Sequence, residues 1–375
     1  MPKSKPSLST SGNYGLSNAK KAKQDEFYTQ LNDIENELKH YKSQLRGKKI
    51  LCNCDDPFES NFFRYFALNF NTLRLKKLIA TSYVQSPIVG GQLPLLDIEG
   101  LKPEGKEPYA IEINEVPDHK RRGATDLADV EYLLKRDSNT SRTLNGNGVY
   151  GAGDFRSREC MALMKQADVI VTNPPFSLFR EYVAQLVKHK KKFLIIGNKN
   201  ALHYQEIFKL IKENKMWVGV TPMGHDMLFS VPSHIAERMV ATGKKGSNYR
   251  VVNGVVYGRS PSIWFANMDN PKRHEQLPLY KRYTRDDFPT YDNLDAIEVS
   301  KTHEIPCDYD GLMGVPDTFL DKYNPDQFEI VGIPFGDLGK EIGVTRNYRG
   351  RTDIAITKGG SSRCPYSRII IRRKS

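Results

Sequence analysis

The residues best equipped for chemistry stand in one short run, Val169-Ile170-Val171-Thr172-Asn173-Pro174-Pro175-Phe176. An apolar strand ends there in Asn-Pro-Pro-aromatic. A helix pattern with Phe179, Val183, Leu186 and Val187 on one face begins just after it. Two successive prolines cannot continue sheet pairing, and they fix the backbone in an extended turn. The Asn173 side-chain carbonyl and the backbone carbonyl of the Asn-Pro bond then become acceptors in fixed positions. A planar amino group carries two donor hydrogens, and accepting from both draws its nitrogen toward a pyramidal, more nucleophilic form. Phe176 can stack on the ring that bears the amine. This is catalysis by placed dipoles and alignment, without a strong base. An amine so held can attack a methyl group carried on a sulfonium.

Such a turn is useful at the carboxyl end of a strand in an open α/β sheet, where the ligand crevice lies. The surrounding sequence predicts that sheet. Tyr28, Leu31, Ile34, Leu38, Tyr41 and Leu45 recur at three- and four-residue steps and predict an amphipathic helix from Phe27 to Leu45. Gly47 closes it, and Lys48-Lys49 lead into a strand, Ile50 to Asn53. Asp55-Asp56-Pro57 then opens a second helix, acid suiting its positive end and proline its first turn, with Phe62, Phe63, Phe66 and Phe70 buried. Further strands are expected at Lys77 to Val84, Tyr109 to Ile113, Gly148 to Gly151, Asp168 to Thr172, Phe193 to Ile196, Trp217 to Val220 and Ser262 to Phe265. Strands alternating with helices point to a doubly wound parallel sheet, interrupted by a Gly-, Pro- and charge-rich insertion at about 85–147. After about Asn270 the pattern breaks into short, Pro-punctuated pieces. A main domain over 25–275 and a C-terminal domain over 276–375 are therefore expected, behind a basic arm at 1–24.

The chain has 375 residues, 39% hydrophobic and 27% charged, which is a globular composition. It has no apolar run of the roughly 20 residues that a membrane-spanning helix needs. Met1 to Asn18 is Ser- and Gly-rich and does not read as a secretory signal. Five scattered cysteines (Cys52, Cys54, Cys160, Cys307, Cys364) suggest a reducing, cytoplasmic compartment. Cys52 and Cys54 suit one face of a strand end better than a metal clip, and the eight histidines form no HExxH, so no metal is expected. The two tryptophans, Trp217 and Trp264, fall in predicted strands and read as core.

The net charge of +12 is unevenly spread. Met1 to Gln24 holds five Lys and no acid, and Thr345 to Ser375 holds nine Lys/Arg against Asp353 alone, so the body is nearly neutral. Two basic ends suit a polyanionic partner, nucleic acid above all, although charged tails also keep proteins soluble. The contact candidates are Lys20, Lys21 and Lys23, then Arg121 and Arg122 in the His119-Lys120-Arg121-Arg122 loop, then Arg346, Arg349 and Arg351. Within Arg346-Asn347-Tyr348-Arg349-Gly350-Arg351, Arg and Asn side chains could address guanine and adenine edges.

These residues together resemble a known family. Asn173-Pro174-Pro175-Phe176 is similar to the catalytic tetrad of S-adenosylmethionine-dependent amino methyltransferases. Its Phe favours adenine N6 over cytosine N4, whose enzymes usually carry Ser-Pro-Pro-Trp. The ordered set of Asp25-Glu26-Phe27-Tyr28-Thr29, Cys52-Asn53-Cys54-Asp55-Asp56-Pro57 with Asn61-Phe62-Phe63, Gly153-Asp154-Phe155-Arg156-Ser157, the tetrad, and Trp264-Phe265-Ala266-Asn267-Met268-Asp269 resembles the EcoRI-type DNA adenine methyltransferases along most of the chain. The resemblance implies an α/β fold with a Rossmann-like class I methyltransferase sheet, helices on both its faces, and a smaller C-terminal target-recognition region. It implies methyl transfer from S-adenosylmethionine to the N6 of an adenine rotated out of double-stranded DNA, by a monomer that serves either as the modification partner of a cognate restriction endonuclease or as an orphan or phage methylase.

The resemblance also implies roles for single residues. Asn173, Pro174, Pro175 and Phe176 are catalytic, Asn173 bordering the cofactor as well. Phe27, Tyr28 and Thr29 pack on the cofactor's methionine end. Asn53, Asp55, Asp56 and Pro57 replace the usual Phe-x-Gly-x-Gly turn and offer Asp55 or Asp56 to the α-ammonium, although either can instead cap a helix. Asp154 accepts from the cofactor adenine, with Phe155 against its ring. The acid that usually closes the second strand and binds the ribose is missing. Glu112 and Glu115 are the nearest substitutes, and the ribose ligand stays open. Two rival readings are an RNA amino methyltransferase acting on guanine N2, and a non-catalytic DNA-binding module derived from such an enzyme.

Overall fold

The computed structural model describes residues 28–54, 57, 60–83, 108–116, 129, 141–146, 149–231 and 233–374. Of the candidate residues, Lys20, Lys21, Lys23, Phe27, Asp55, Asp56, Arg121 and Arg122 lie outside the described residues.

In chain order the strands are β1 (Tyr28–Thr29), β2 (Lys49–Cys52), β3 (Lys77–Thr81), β4 (Tyr109–Ile113), β5 (Ser141–Thr143), β6 (Val169–Thr172) and β7 (Lys192–Asn198). They continue with β8 (Trp217–Val218), β9 (Leu228–Ser230), β10 (Tyr249–Val252), β11 (Val255–Arg259) and β12 (Ser262–Ala266). The C-terminal region adds β13 (Thr290–Tyr291), β14 (Leu294–Glu298), β15 (Met313–Pro316), β16 (Phe328–Gly332), β17 (Ile356–Lys358), β18 (Ser361–Arg363) and β19 (Arg368–Arg373).

Eight strands form the central sheet in the order β5-β4-β3-β2-β6-β7-β12-β8. β3, β2, β6 and β7 are mutually parallel. β4, β5, β12 and β8 join antiparallel, so the sheet is mixed and the all-parallel expectation is corrected. The cause lies in the connections. A parallel neighbour needs a crossover, usually a helix. The helices Asn61–Leu68 and Phe179–Lys188 supply it for β2 to β3 and for β6 to β7. The chain leaves β2 for β3, then returns to β6 on the other side of β2. The strand order therefore reverses between β2 and β6, and a crevice opens at their carboxyl ends.

Both faces of this sheet are buried, which explains why its strands read as apolar runs rather than alternating ones. Leu51, Ile170, Phe193, Ile195, Ile263 and Phe265 point to one face, under the helices Arg158–Gln166, Phe179–Lys188 and Gln205–Lys212. Ile50, Cys52, Val169, Val171, Leu194, Ile196 and Trp264 point to the other, under Leu31–Leu38 and Asn61–Leu68. Cys52 and Cys54 thus serve opposite cores rather than one face. Trp264 is fully buried, and Trp217 is half-buried with the Arg273 guanidinium 3.6 Å from its ring centre.

Three local expectations are corrected. The first helix starts at Leu31; Tyr28 and Thr29 lie in β1 and pair with Ser230 and Phe229 of β9, so Tyr28 is no part of that helix. The second helix is capped by Ser60, whose hydroxyl accepts from the Phe62 and Phe63 amides (3.2 and 3.5 Å), not by an aspartate. Tyr150 and Gly151 lie in no strand; β5 pairs with β4 instead.

The C-terminal region builds a five-stranded sheet, β13-β14-β15-β19-β16. Its Ile297, Met313, Val315, Ile330 and Ile371 join the same core that underlies Phe179–Lys188, so the region packs directly on the central sheet's helices. Among the described residues, no helix is long and apolar enough to cross a membrane, and no group of three or more His, Cys, Asp and Glu could hold a metal ion.

Candidate active site

The Asn-Pro-Pro-Phe turn leaves the carboxyl end of β6, at the point where the strand order reverses. It sits deeper than an open crevice loop. Asn173 is 3% exposed, Pro174 and Pro175 are buried, and Phe176 is half-buried. The prolines end β6, and Leu178 N–H donates to the Pro175 carbonyl (3.0 Å) to start a tight turn over Phe176–Leu178. Phe176 packs against the core on one face of the sheet, while Pro175 and Leu178 border a cleft.

Two hydrogen bonds weld this turn to the end of β2. The Thr172 hydroxyl donates to the Asn53 backbone carbonyl. The Tyr182 hydroxyl donates to Asn53 Oδ1 at 2.5 Å. Tyr182 is 1% exposed, and burial pushes its phenol well above the ordinary tyrosine range. The sequence reading missed it and placed Val187 on the buried face; Val187 is 37% exposed. The spacing from Phe179 to Tyr182, Val183 and Leu186 carried the signal. Tyr182→Phe removes the donor and leaves Asn53 Oδ1 buried without it, so stability should fall by about 1–3 kcal/mol in thermal or denaturant unfolding. An unchanged midpoint would show that this bond does not hold the two strand ends.

Asn53 is 5% exposed, and the next residue, Cys54, has φ 76°, a left-handed backbone that side chains other than glycine rarely adopt. The glycines of the usual turn are gone, but the backbone conformation they would permit remains. Facing it is Gly153, with φ +75°, where an added Cβ would meet the Ser82 carbonyl at 2.1 Å. Here a glycine is obligatory, and it brings Asp154 and Phe155 to the ends of β2 and β3.

Cys54, Tyr83, Gly153, Asp154, Phe155, Pro175 and Leu178 line a narrow cleft of about 20 Å³. Phe155 is 4% exposed and meets the Tyr182 ring edge-on at 5.0 Å. Asp154, 6% exposed, is held by Arg156: Nε reaches Oδ1 at 3.0 Å and Nη2 reaches Oδ2 at 2.8 Å. Arg156 also donates to Glu181 at 2.9 Å, and its bond to Asp154 keeps the guanidinium firmly protonated. Oδ1 also accepts from the Arg156 amide at 2.8 Å, so Oδ2 is the oxygen that keeps a lone pair for a ligand.

Pro57 is a buried turn residue. The Thr29 carbonyl accepts from Asn61 Nδ2 at 2.8 Å, which ties β1 to the first turn after that loop. The Thr29 hydroxyl is buried with no hydrogen-bond partner among the described residues. A glycine cradle and a left-handed turn around one cleft fit a bound cofactor.

Glu112 does not fit the missing ribose acid. It lies on β4 opposite Ile79, bound to Lys77 Nζ at 2.5 Å and within 3.5 Å of Arg142. Glu115 is exposed beyond the end of β4, alongside the start of β3 rather than its carboxyl end. The carboxyl end of β3 instead carries Thr81, whose buried hydroxyl lacks a partner among the described residues.

Arg346, Arg349 and Arg351 are exposed on the C-terminal region, far along the chain from the cleft. The Arg349 guanidinium lies 5.0 Å from the ring centre of Tyr348. Asn347 is turned inward. Its Oδ1 accepts from the Arg349 and Arg351 amides (2.8 and 3.1 Å), and its Nδ2 donates to the Asp353 carbonyl at 3.0 Å. It shapes the loop that displays the three arginines.

Comparison with known proteins gives this geometry its context. Residues 15–374 match the family described as "Adenine-specific methyltransferase EcoRI". The chain is 41% identical over 366 residues to the Type II methyltransferase M.EcoRI of Escherichia coli, covering 96% of each protein. It is 36% identical to the Type II methyltransferase M.MpnI of Mycoplasma pneumoniae, covering 95% of this chain and 97% of that one. It is 38% identical to M.MgeORF184P of Mycoplasma genitalium over 84% of each. No solved structure matches the chain. With residues 15–374 matched by the family and relatives 36% and 41% identical covering at least 95% of it, the chain belongs to the EcoRI family of adenine-specific methyltransferases and is a DNA adenine methyltransferase.

Proposed function

We propose that this enzyme methylates N6 of an adenine rotated out of duplex DNA at a specific site, with S-adenosylmethionine as donor, as the modification partner of a restriction endonuclease or as an orphan methylase. The observation that carries this reading is the weld between two strand ends: Thr172 and Tyr182 both bond Asn53, so the Asn173 turn and the Cys54 turn keep a fixed separation. The strand reversal between β2 and β6 supports a Rossmann-like methyltransferase sheet.

The residues divide the work as follows. Phe155 offers its face to the cofactor's adenine, Asp154 accepts from that adenine's amino group, and Thr29, Tyr28, Phe27, Asn53 and Pro57 border the methionine half, with Asp55 or Asp56 on the ammonium. The bound cofactor supplies a sulfonium methyl as electrophile. Asn173 Oδ1 and the Asn173 carbonyl accept the two N6 hydrogens of the target adenine, while Phe176 stacks on its ring. The attack forms the N6–carbon bond, breaks the carbon–sulfur bond, and releases one N6 proton to solvent. Because Asn173 is covered, the side chains over it must part before a base can reach it.

Duplex binding falls to the basic N-terminal arm with Lys20, Lys21 and Lys23, to Arg121 and Arg122, and to Arg346, Arg349 and Arg351 of a C-terminal target-recognition region over 276–375. Asn347 acts by holding that loop rather than by reading a base. The enzyme works as a monomer in the cytoplasm.

The test is to incubate the protein with methyl-labelled S-adenosylmethionine and either duplex DNA or structured RNA. Label should enter DNA only; label in RNA, or in neither, contradicts the reading. Separately, Arg349→Ala should weaken DNA binding and lower the slope of log affinity against log salt by about 1. Native affinity, slope and site choice would remove Arg349 from the interface.

A further inference from the structure

The body of the chain is nearly neutral, but its charge is not evenly spread. Residues 233–261 hold five Lys/Arg and a single acid, Glu237. They build the helix Ser233–Thr242 and the hairpin of β10 and β11, whose Asn253-Gly254 turn is left-handed at both positions (φ 51° and 80°). Between the helix and the residues that flank the hairpin lies a cleft of about 610 Å³. Arg238, Lys244 and Arg259 line it together with Thr242, Ser247 and Ser260, and among the described residues no acid does. Arg259 is held on Asp226, which also accepts from Arg250 at 3.0 Å, so one carboxylate faces two guanidiniums and the group stays positive. Arg238 and Lys244 are exposed and make no ion pair among the described residues. Fixed cations gathered without an acid attract a polyanion.

The topology puts this cleft at the rim of the central sheet from which the Asn-Pro-Pro-Phe turn leaves. The segment 219–261 is inserted between β8 and β12, which are antiparallel neighbours, so the chain leaves and re-enters the sheet at one rim. Ser262 at the start of β12 pairs with Asn198 at the carboxyl end of β7, and β7 is the parallel neighbour of β6. Pro261 lines the cleft, and its carbonyl accepts from the Lys199 amide at 2.6 Å, just beyond β7. On its other side the insertion is tied to β1. β9 lies between β11 and β1, so that Phe229 pairs with both Gly258 and Thr29. Two sets of backbone bonds therefore hold the cleft beside the site.

We propose that this cleft grips the phosphate backbone of duplex DNA, with Arg238 and Lys244 as the contacting cations and Arg259 behind them. Phosphate contacts fix the register and orientation of a duplex and carry no sequence information. The cleft thus adds an anchor at the rim of the catalytic sheet to those at the two ends of the chain. The proposal rests on the reading that duplex DNA is the substrate.

The experiment measures binding of the full-length enzyme across a salt series, to a duplex carrying its methylation site and to one without it. The double variant Arg238→Ala, Lys244→Ala should lower the slope of log affinity against log salt by about 2 and weaken both duplexes by about tenfold or more at low salt. The ratio of the two affinities, S-adenosylhomocysteine binding and the melting temperature should stay at their wild-type values, because both side chains are exposed and touch no base. The double variant Arg238→Lys, Lys244→Arg keeps both charges and should restore slope and affinity. Native slope and affinity in the alanine variant, or a loss that the charge-keeping variant shares, overturns the proposal. A changed affinity ratio overturns it too, since the two residues would then read bases. In each of these cases normal methylation of duplex DNA by wild type leaves the underlying reading intact. If wild type neither binds nor methylates a duplex, that reading fails and the proposal goes with it.

Discussion

Gly153→Ala should unfold the proposed cofactor cleft rather than merely crowd it. The backbone there has φ +75°, where a Cβ costs about 1–2 kcal/mol on its own. The added carbon would also stand 2.1 Å from the Ser82 carbonyl and 3.0 Å from Tyr83 Cα. These neighbours are backbone of the segment that ends β3, and Ser82 is committed to Tyr109 by backbone and side-chain bonds of 2.9 Å. The turn must therefore move, carrying Asp154 and Phe155 out of the cleft. The expected result is a loss of at least about 2 kcal/mol of stability and near-complete loss of S-adenosylhomocysteine binding by calorimetric titration. Wild-type affinity would mean that the cleft beside Phe155 is not the cofactor site.

Asn173→Ala should have the opposite signature. The substitution removes one acceptor for the amine and leaves the second, the backbone carbonyl, in place. Loss of a single pre-positioned dipole at a reacting centre typically costs about 10²–10³ in turnover, and here the orientation of the amine goes with it. kcat should fall by at least that factor, while S-adenosylhomocysteine and DNA affinities stay near wild type. A variant that turns over normally would refute the assignment of Asn173. One that fails to bind either ligand would make the residue structural.

Much of this site was legible because its signals are local. The β2, β6, β7 and β12 segments are apolar on both faces, so they read as strands without any knowledge of their partners. Asn173-Pro174-Pro175-Phe176 announces a strand end through proline chemistry alone. The departures arise where a distant partner decides. Tyr28 keeps helical spacing with Leu31, yet β1 pairs with Phe229 and Ser230, some 200 residues away. Glu37 is a charged residue within the first helix. It is fully buried, because the Val220 and Thr221 amides (2.7 Å each) and the Tyr41 hydroxyl (3.0 Å) satisfy its carboxylate. No local pattern reports such a pairing.

Charge counting misled in the same way. The last 31 residues are strongly basic by composition. Arg368 is nonetheless spent on Glu298, and Arg373 on Asp310 at 2.7 Å, so the exposed field comes from fewer cations than the count implies. Arg346, Arg349, Arg351, Lys358, Arg363, Arg372 and Lys374 remain exposed. Asn347 looked like a base reader by residue type, and its hydrogen bonds make it the brace of their loop.

The central claim is that the Asn-Pro-Pro-Phe turn grips an adenine amino group beside a bound methyl donor. The most direct test is to digest enzyme-treated duplex DNA to nucleosides and identify the methylated atom by chromatography and mass spectrometry. N6-methyladenine from wild type, and none from Asn173→Ala, is the predicted result. N4-methylcytosine, a ring-nitrogen product, or equal yields from both proteins would contradict it.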